Sequence, residues 1–393
     1  MAGDLRLERA MLDRGSGKQE LCTLTCSGGR IVSIEPSRSA RGTVLTHAVD
    51  AGGMAVLPGL VDCHTHACWV GCRLDEWERM LRGEPYLDIL ASGGGIMATV
   101  RAVRDASEGE LADATLRHLD QMLRHGTTAA EIKSGYGLDT ESELAMLRAV
   151  TRAGEQWAGA VVPTACIGHA KDPDLADGGV RRAIEQTLPA VTAEFPGIAV
   201  DAYCERGAWS LEETLRLVDA ALEAGHPVRV HADQFHDLGM IPEAIARGVV
   251  SVDHLEASRP DSLEMLAASD SFGVMLPACG WHLDDRYADG RRFLDLGGKL
   301  ALASNYNPGS APSGSLPMIV AIAVRRLGLT PAEAVRCVTR SAADLLGFAD
   351  RGRLEVGAHA DLVLLDTPDP RDVAYRFGHN PVACVWIAGE RVV

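Results

Sequence analysis

Two histidines one residue apart, His64 and His66, close the segment Pro58-Gly59-Leu60-Val61-Asp62-Cys63-His64-Thr65-His66. In an extended strand, side chains at i and i+2 share a face, so both imidazoles point the same way and can chelate one divalent ion. Two histidines beside a turn can also be ordinary hydrogen-bonding groups. Further ligand-type residues at comparable positions weigh against that plain reading. His231 lies in Val230-His231-Ala232-Asp233-Gln234, His254 in Asp253-His254-Leu255-Glu256, and Asn305 in Ala303-Ser304-Asn305-Tyr306-Asn307-Pro308-Gly309. Three protein nitrogens and an open position describe a catalytic rather than a closed structural metal site.

Each of these segments ends a short apolar, β-branched run. The pattern predicts eight strands: Leu60–His66, Thr127–Tyr136, Ala160–His169, Ile198–Glu205, Val228–Gln234, Val249–Glu256, Phe272–Pro277 and Leu300–Asn305. Amphipathic stretches such as Glu110–Arg124, Glu141–Ala153 and Leu211–Ala224 fall between them. Eight β/α units in a row predict an α/β chain folded as a closed (β/α)8 TIM barrel, whose catalytic mouth is built from the C-terminal ends of the strands. The barrel is expected over residues 55–348. Residues 1–54 (Leu5–Leu12, Cys22–Cys26, Arg30–Glu35) and 349–393 (Val382–Ile387, Glu390–Val393) read as short strands. Neither end can bury a core alone, so the two are expected to form one small β-sandwich beside the barrel.

Composition narrows the function classes. The chain has 393 residues and a formal net charge of −16. Such a surface repels phosphate backbones, so no nucleic acid is expected as a partner. A local arginine still allows a small anionic substrate. No apolar run of about 18 residues is present, so no membrane span is expected. The first ten residues carry no basic patch followed by an apolar run. Ten cysteines scattered through a long chain of this kind fit reduced thiols, and the expected location is cytoplasmic.

Taken together, these segments resemble the amidohydrolase superfamily and, within it, the imidazolonepropionases of histidine degradation. Beyond the strand ends above, the resemblance rests on Gly93-Gly94-Gly95-Ile96, Glu131-Ile132-Lys133-Ser134-Gly135-Tyr136-Gly137, Cys204-Glu205, Asn307-Pro308-Gly309-Ser310 and Ala374-Tyr375-Arg376-Phe377-Gly378. His-x-His alone marks only the superfamily; the Lys-Ser-Gly-Tyr-Gly and Tyr-Arg-Phe-Gly segments are more specific. The resemblance implies one divalent metal, zinc first and iron second, held by His64, His66, His231 and an Asp on the eighth strand. It implies His254 beside the metal's water, and substrate contacts from Arg73, Tyr136, His169, Gln234 and Asn307. It implies hydrolysis of 4-imidazolone-5-propanoate, a small anionic cyclic substrate, to N-formimino-L-glutamate by a homodimer.

Roles follow from side-chain chemistry. Arg73 suits a charge-assisted, bidentate pair with the propionate arm; the bland alternative is a surface ion pair with Asp75 or Glu76. Tyr136 and His169 would hydrogen-bond or stack on the planar ring. Gln234 would bond a ring N–H, although some relatives carry Glu there, which leaves proton shuttling at Gln234 open. Lys133 matches the mononuclear pattern rather than a metal-bridging one. The Gly93–Gly95 run lacks the Gly-Lys-Ser/Thr ending of a phosphate loop and suits a mobile lid.

One position departs from the family. Asn305 stands where an Asp is implied. An amide oxygen is a weak fourth ligand and cannot accept the proton of an attacking water, and loss of a general base costs about 10²–10⁴-fold. Three explanations stay open: an engineered change that traps substrate; a natural change in which His254 serves as base on a related ring; and an inactive paralogue that binds without turnover. Imidazole titrates near pH ~6.5, which suits a base at neutral pH. A related ring is 3-(5-oxo-2-thioxoimidazolidin-4-yl)propionate, from thiol-histidine betaine breakdown, or a hydantoin with the same arm. Cys68, Cys72 and Cys279 are compatible with such a thio substrate and equally with ordinary core filling. A cyclic-amidine deaminase on the same fold is disfavoured by the more specific segments.

Overall fold

A computed structural model describes residues 4–13, 19–37, 48–84, 88 and 93–393 of the chain. The N-terminal strands β1 (Leu5–Asp13), β2 (Gln19–Ser27), β3 (Arg30–Pro36) and β4 (Ala48–Asp50) form a sheet in the order β3-β2-β1-β4. Leu5, Leu7, Ala10 and Leu12 of β1 are buried, an alternation broken once by a bulge between Leu7 and Ala10. Strand β5 (Val56–Pro58) leaves this sheet and joins the chain's other end.

The barrel strands follow: β6 (Leu60–Asp62), β7 (Thr127–Lys133), β8 (Ala160–Gly168), β9 (Ala199–Cys204), β10 (Val228–Ala232), β11 (Ser251–His254), β12 (Phe272–Met275) and β13 (Leu300–Leu302). They form one eight-stranded sheet in sequential order, every neighbouring pair parallel. This is the (β/α)8 barrel read from the sequence. Beyond the β6 and β13 ladders, Asn305 N donates to His64 O at 3.0 Å and His66 N to Tyr306 O at 3.0 Å. These two bonds link the first and last strands at the mouth, beside the histidine pair.

The C-terminal strands β14 (Leu362–Leu365), β15 (Val382–Ile387) and β16 (Glu390–Arg391) make a sheet in the order β16-β15-β14-β5. Leu7, Leu24, Ile31, Val56, Leu362 and Trp386 share one core between the two terminal sheets. The sandwich of both termini is therefore present, and β5 contributes to it from just inside the expected barrel region.

Element boundaries differ from the sequence reading for local reasons. The first strand was expected to reach His66, but its ladder ends at Asp62. Cys63–His66 leave the ladder, which frees the histidine side chains for one another. Helices Glu108–Arg124, Thr140–Gln156 and Leu211–Glu223 begin up to two residues from the expected starts. Their first turns are acidic and polar, invisible to apolar periodicity, and are set by Ser107 and Ser210 capping boxes and by Asp139 as N-cap. Among the described residues, no helix is long and apolar enough to cross a membrane. None of the ten cysteines is in a disulfide.

Candidate metal centre

One ring nitrogen from each of His64, His66 and His231 falls within 4.8 Å of the others. His66 Nε2 and His231 Nε2 are 3.2 Å apart. Two nitrogens bound tetrahedrally to one zinc at about 2.05 Å lie roughly 3.3 Å apart, so this edge already has the required length. His64 Nε2 is buried with no hydrogen-bond partner, a costly arrangement unless something else takes its lone pair.

The tautomers are fixed from behind. His64 Nδ1 meets Asp253 Oδ2 at 2.5 Å, and His231 Nδ1 meets Asp201 Oδ1 at 2.9 Å. Donation to these carboxylates leaves each Nε2 with its lone pair facing the cluster. Burial, then the charge of Lys133, holds the His64 imidazole well below its usual range. Burial, then His169, does the same at His66. Burial also lowers His231 against the opposing pull of Asp201. All three imidazoles are thus held neutral, the form that metal binding requires.

Those carboxylates belong to a buried ion network. Lys133 Nζ lies 2.6 Å from both Glu131 Oε1 and Asp201 Oδ2. Arg229 reaches Asp253 Oδ2 at 2.7 Å, Glu131 Oε1 at 3.2 Å and the carbonyl of Cys63 at 2.8 Å. Burial and Arg229 act to lower Lys133, but Asp201 and Glu131 outweigh them and the ammonium is held above its usual range. Asp201, Asp253, Glu131 and Arg229 were given no role from the sequence. Their signal was there: charges inside short barrel strands, three of them buried throughout and the fourth, that of Asp201, mostly so.

Two of the expected substrate residues, His169 and Tyr136, stand against His66. The His169 ring stacks on His66 at 4.6 Å and 11°, and its Nδ1 meets Gly135 O at 2.8 Å. Gly135 has φ +118°, and a Cβ there would sit 2.8 Å from His169 Nδ1, so only glycine allows this contact. Burial, then His231, pushes the His169 imidazole down to about 4. Tyr136 is buried 5.3 Å from His169, centroid to centroid. Gln234 Oε1 accepts from the hydroxyl of Tyr203 at 2.7 Å, another residue the sequence did not single out. The backbone beyond Gln234 is pinned where Phe235 N and His236 N both donate to Glu205.

Arg73 is 14% exposed, pairs with Glu76, and has its guanidinium over Gly309, where a Cβ would lie 2.1 Å from Nη1. Glu76 also accepts from Gly95 N at 2.8 Å, so the glycine run is tied to Arg73 through one carboxylate. Arg73 thus makes the ion pair with Glu76 that the sequence offered as the bland alternative. Asn307 is engaged within its own loop: Oδ1 accepts from Gly309 N and Ser310 N, and Nδ2 donates to Asn305 O and Ser310 Oγ.

Asn305 is 3% exposed, with φ +52°. Its Nδ2 donates to Cys279 Sγ at 2.9 Å, and its Oδ1 is buried with no hydrogen-bond partner. His254 Nδ1 meets Glu256 Oε1 at 3.3 Å. His254 and Leu255 have φ of +91° and +75°, strained for residues with side chains. Cys68 lies in the apolar core and Cys72 is exposed. Of the three cysteines singled out, Cys279 accepts a hydrogen bond from Asn305, while Cys68 shares its core cluster with Tyr136.

The sequence profile of the amidohydrolase family matches residues 55–392. An imidazolonepropionase of Rubrobacter xylanophilus is 42% identical, covering 98% of this chain and 96% of its own length. One of Deinococcus deserti is 44% identical over 87% of this chain and 85% of its own. The solved structure of a 5-methylcytosine deaminase from Klebsiella pneumoniae liganded with 5-fluorocytosine has a TM-score of 0.79 at 18% identity, covering 99% of this chain and 97% of that one. An adenosine deaminase from Xanthomonas campestris with bound zinc reaches 0.70 at 18%, covering 99% and 92%. The two deaminases share the fold with this chain. The imidazole cluster, its carboxylate supports and these relatives agree: the chain belongs to the amidohydrolase family, as a hydrolase of carbon–nitrogen bonds in cyclic amides grouped with the imidazolonepropionases.

Proposed function

We propose that the chain hydrolyses 4-imidazolone-5-propanoate to N-formimino-L-glutamate, with one divalent metal, zinc before iron, at His64, His66 and His231. The observation that carries this reading is the three-imidazole cluster, with the tautomers of His64 and His231 set by Asp253 and Asp201 and His64 Nε2 buried without a partner. A divalent ion there would polarise the ring carbonyl and lower the pKa of a water towards about 7. Asn305 Oδ1 is available as a weak fourth donor.

The chain's own residues supply the rest. Arg73, braced by Glu76, takes the propionate with a two-pronged donor set. His169 and Tyr136 flank the planar ring. Gln234 offers its amide N–H to the substrate, since its oxygen is engaged by Tyr203. His254 holds a proton acceptor at Nε2 while Glu256 engages Nδ1. Asn307 supports the substrate indirectly, by shaping the loop that brings Gly309 under Arg73. The reading extends to a cytoplasmic setting, which ten cysteines scattered along the chain and joined in no disulfide fit. A homodimer rests on the family alone, and sedimentation tests it.

A second reading is favoured by the Asn305–Cys279 contact, which replaces the expected carboxylate chemistry: the substrate is 3-(5-oxo-2-thioxoimidazolidin-4-yl)propionate. The experiment is turnover of both rings by the wild type and Asn305→Asp, with metal counted in each. Fast opening of the imidazolone by the wild type supports the first reading. Turnover of the thio ring alone, abolished by Asn305→Asp, supports the second. Binding of either ring without turnover at any pH overturns both.

A further inference from the structure

Glu143, in the first turns of the helix Thr140–Gln156, is 1% exposed and accepts three backbone hydrogen bonds from the segment that follows β7. Its Oε2 takes Gly135 N at 2.9 Å, and its Oε1 takes Gly137 N and Leu138 N at 2.8 Å each. The plain reading is an acid favoured by the dipole at a helix start. Such an acid would meet the free N–H groups of its own helix, whereas these oxygens reach back to the loop before it. Burial pushes the Glu143 carboxyl above its usual range, and Ser134 with the three N–H groups acts against that rise. A Cβ on Gly137 would lie 2.6 Å from Glu143 N, so the loop meets the helix too closely for a side chain there.

The carbonyls of the same loop are held by cations. Arg104 Nε donates to Gly137 O at 2.7 Å, and Arg182 donates to Leu138 O. Both guanidiniums also meet Asp172 Oδ2, Arg104 at 3.0 Å and Arg182 at 3.3 Å. Asp172 follows His169 by three residues. The loops after β7 and β8 are therefore tied to each other as well as to the helix. Leu138 has φ +55°, which a residue with a side chain keeps only where its surroundings enforce it.

Tyr136 lies between the clamped groups, its ring centroid 5.9 Å from that of His66. Gly135 O accepts from His169 Nδ1. A carbonyl only accepts, so His169 carries its proton on Nδ1 and keeps Nε2 as an acceptor. We infer that Glu143 is a positioning residue for the planar ring of the substrate: its clamp on three N–H groups fixes Tyr136 in place and, through Gly135 O, the tautomer and orientation of His169. The inference rests on the reading above, in which Tyr136 and His169 flank the ring. Arg104 is the weaker half of the clamp, acting on the carbonyl side. Gln at position 143 keeps the shape but sets an NH2 group against the donors, which then share one oxygen.

The test uses zinc-loaded wild type, Glu143→Gln and Arg104→Met, with the exposed Glu141→Gln of the same helix as control. Kinetics on both rings are read beside metal content, and NMR of labelled imidazole nitrogens follows His169, assigned from His169→Asn. In Glu143→Gln, kcat/KM should fall about 10²-fold on whichever ring the wild type opens, at unchanged metal content, the size expected for a misplacement of about 1 Å. The His169 signals should change from a single Nδ1–H tautomer to a mixture. Arg104→Met should lose about fivefold, as for one hydrogen bond, and Glu141→Gln should match the wild type. A kcat/KM within about threefold of the wild type in Glu143→Gln, or an unchanged His169 tautomer, overturns the inference and leaves the hydrolase reading intact. Loss of zinc together with activity also overturns it, because Glu143 would then support the whole centre and not the ring side. Should Glu143→Gln fail to fold, Arg104→Met decides: a tautomer mixture at His169 supports the clamp, and an unchanged signal removes it. If the wild type opens neither ring, the functional reading falls, while the same NMR comparison still decides whether Glu143 sets the state of His169.

Discussion

Asp201 Oδ2 lies 2.6 Å from Lys133 Nζ, while the same carboxylate's Oδ1 accepts from the His231 ring at 2.9 Å. A lysine fully shielded from solvent thus sets the orientation of a candidate metal ligand without touching the metal position. Arg229 stands in the same relation to His64 through Asp253. The centre is held by a charge network spanning β7, β9, β10 and β11.

Lys133→Met should leave Asp201 buried without its cation and Glu131 with Arg229 alone. Breaking a buried pair in this way costs about 3–5 kcal/mol. Chemical denaturation should show that loss. An unchanged midpoint would mean that Arg229 alone balances the carboxylates.

Asp253→Asn keeps the shape but removes the charge behind His64. Substitutions of this kind lower metal affinity about 10–100-fold. Competition with a chromophoric chelator measures it. Equal zinc retention in both proteins would show that Asp253 serves the network and not the ligand.

Arg73→Lys should raise KM about 10–100-fold with kcat little changed, because a point charge replaces a two-pronged donor. Gly309→Ala should act in the same direction, since its Cβ would stand 2.1 Å from the Arg73 guanidinium. A fall in kcat at constant KM would place Arg73 in the chemical step instead.

His169 gives a pH signature. Burial first, and then His231, lowers its folded-state value to about 4, against about 6.5 in an unfolded chain. The unfolded chain binds the proton first as pH falls. Its contribution to stability is therefore complete above pH ~6.5 and is lost as pH falls towards about 4. Thermal melts at pH 7 and pH 5 should differ less for His169→Asn than for the wild type. An identical difference would mean that His169 titrates normally.

The sequence by itself determined the barrel and its mouth. Strand runs at βα spacing are local signals, and His64 and His66 announce themselves through a period of two. Tertiary structure decided what these groups are connected to. Asp253 meets His64 across 189 residues of chain, Asp201 meets His231 across 30, and Cys279 meets Asn305 across 26. No periodicity encodes such contacts; barrel closure and strand register create them. The same closure turned Asn307 inward to its own loop and set Tyr203 on Gln234. A hydrogen bond costs little sequence to specify but needs both partners placed to within a few tenths of an ångström, and only the packed barrel fixes positions that finely.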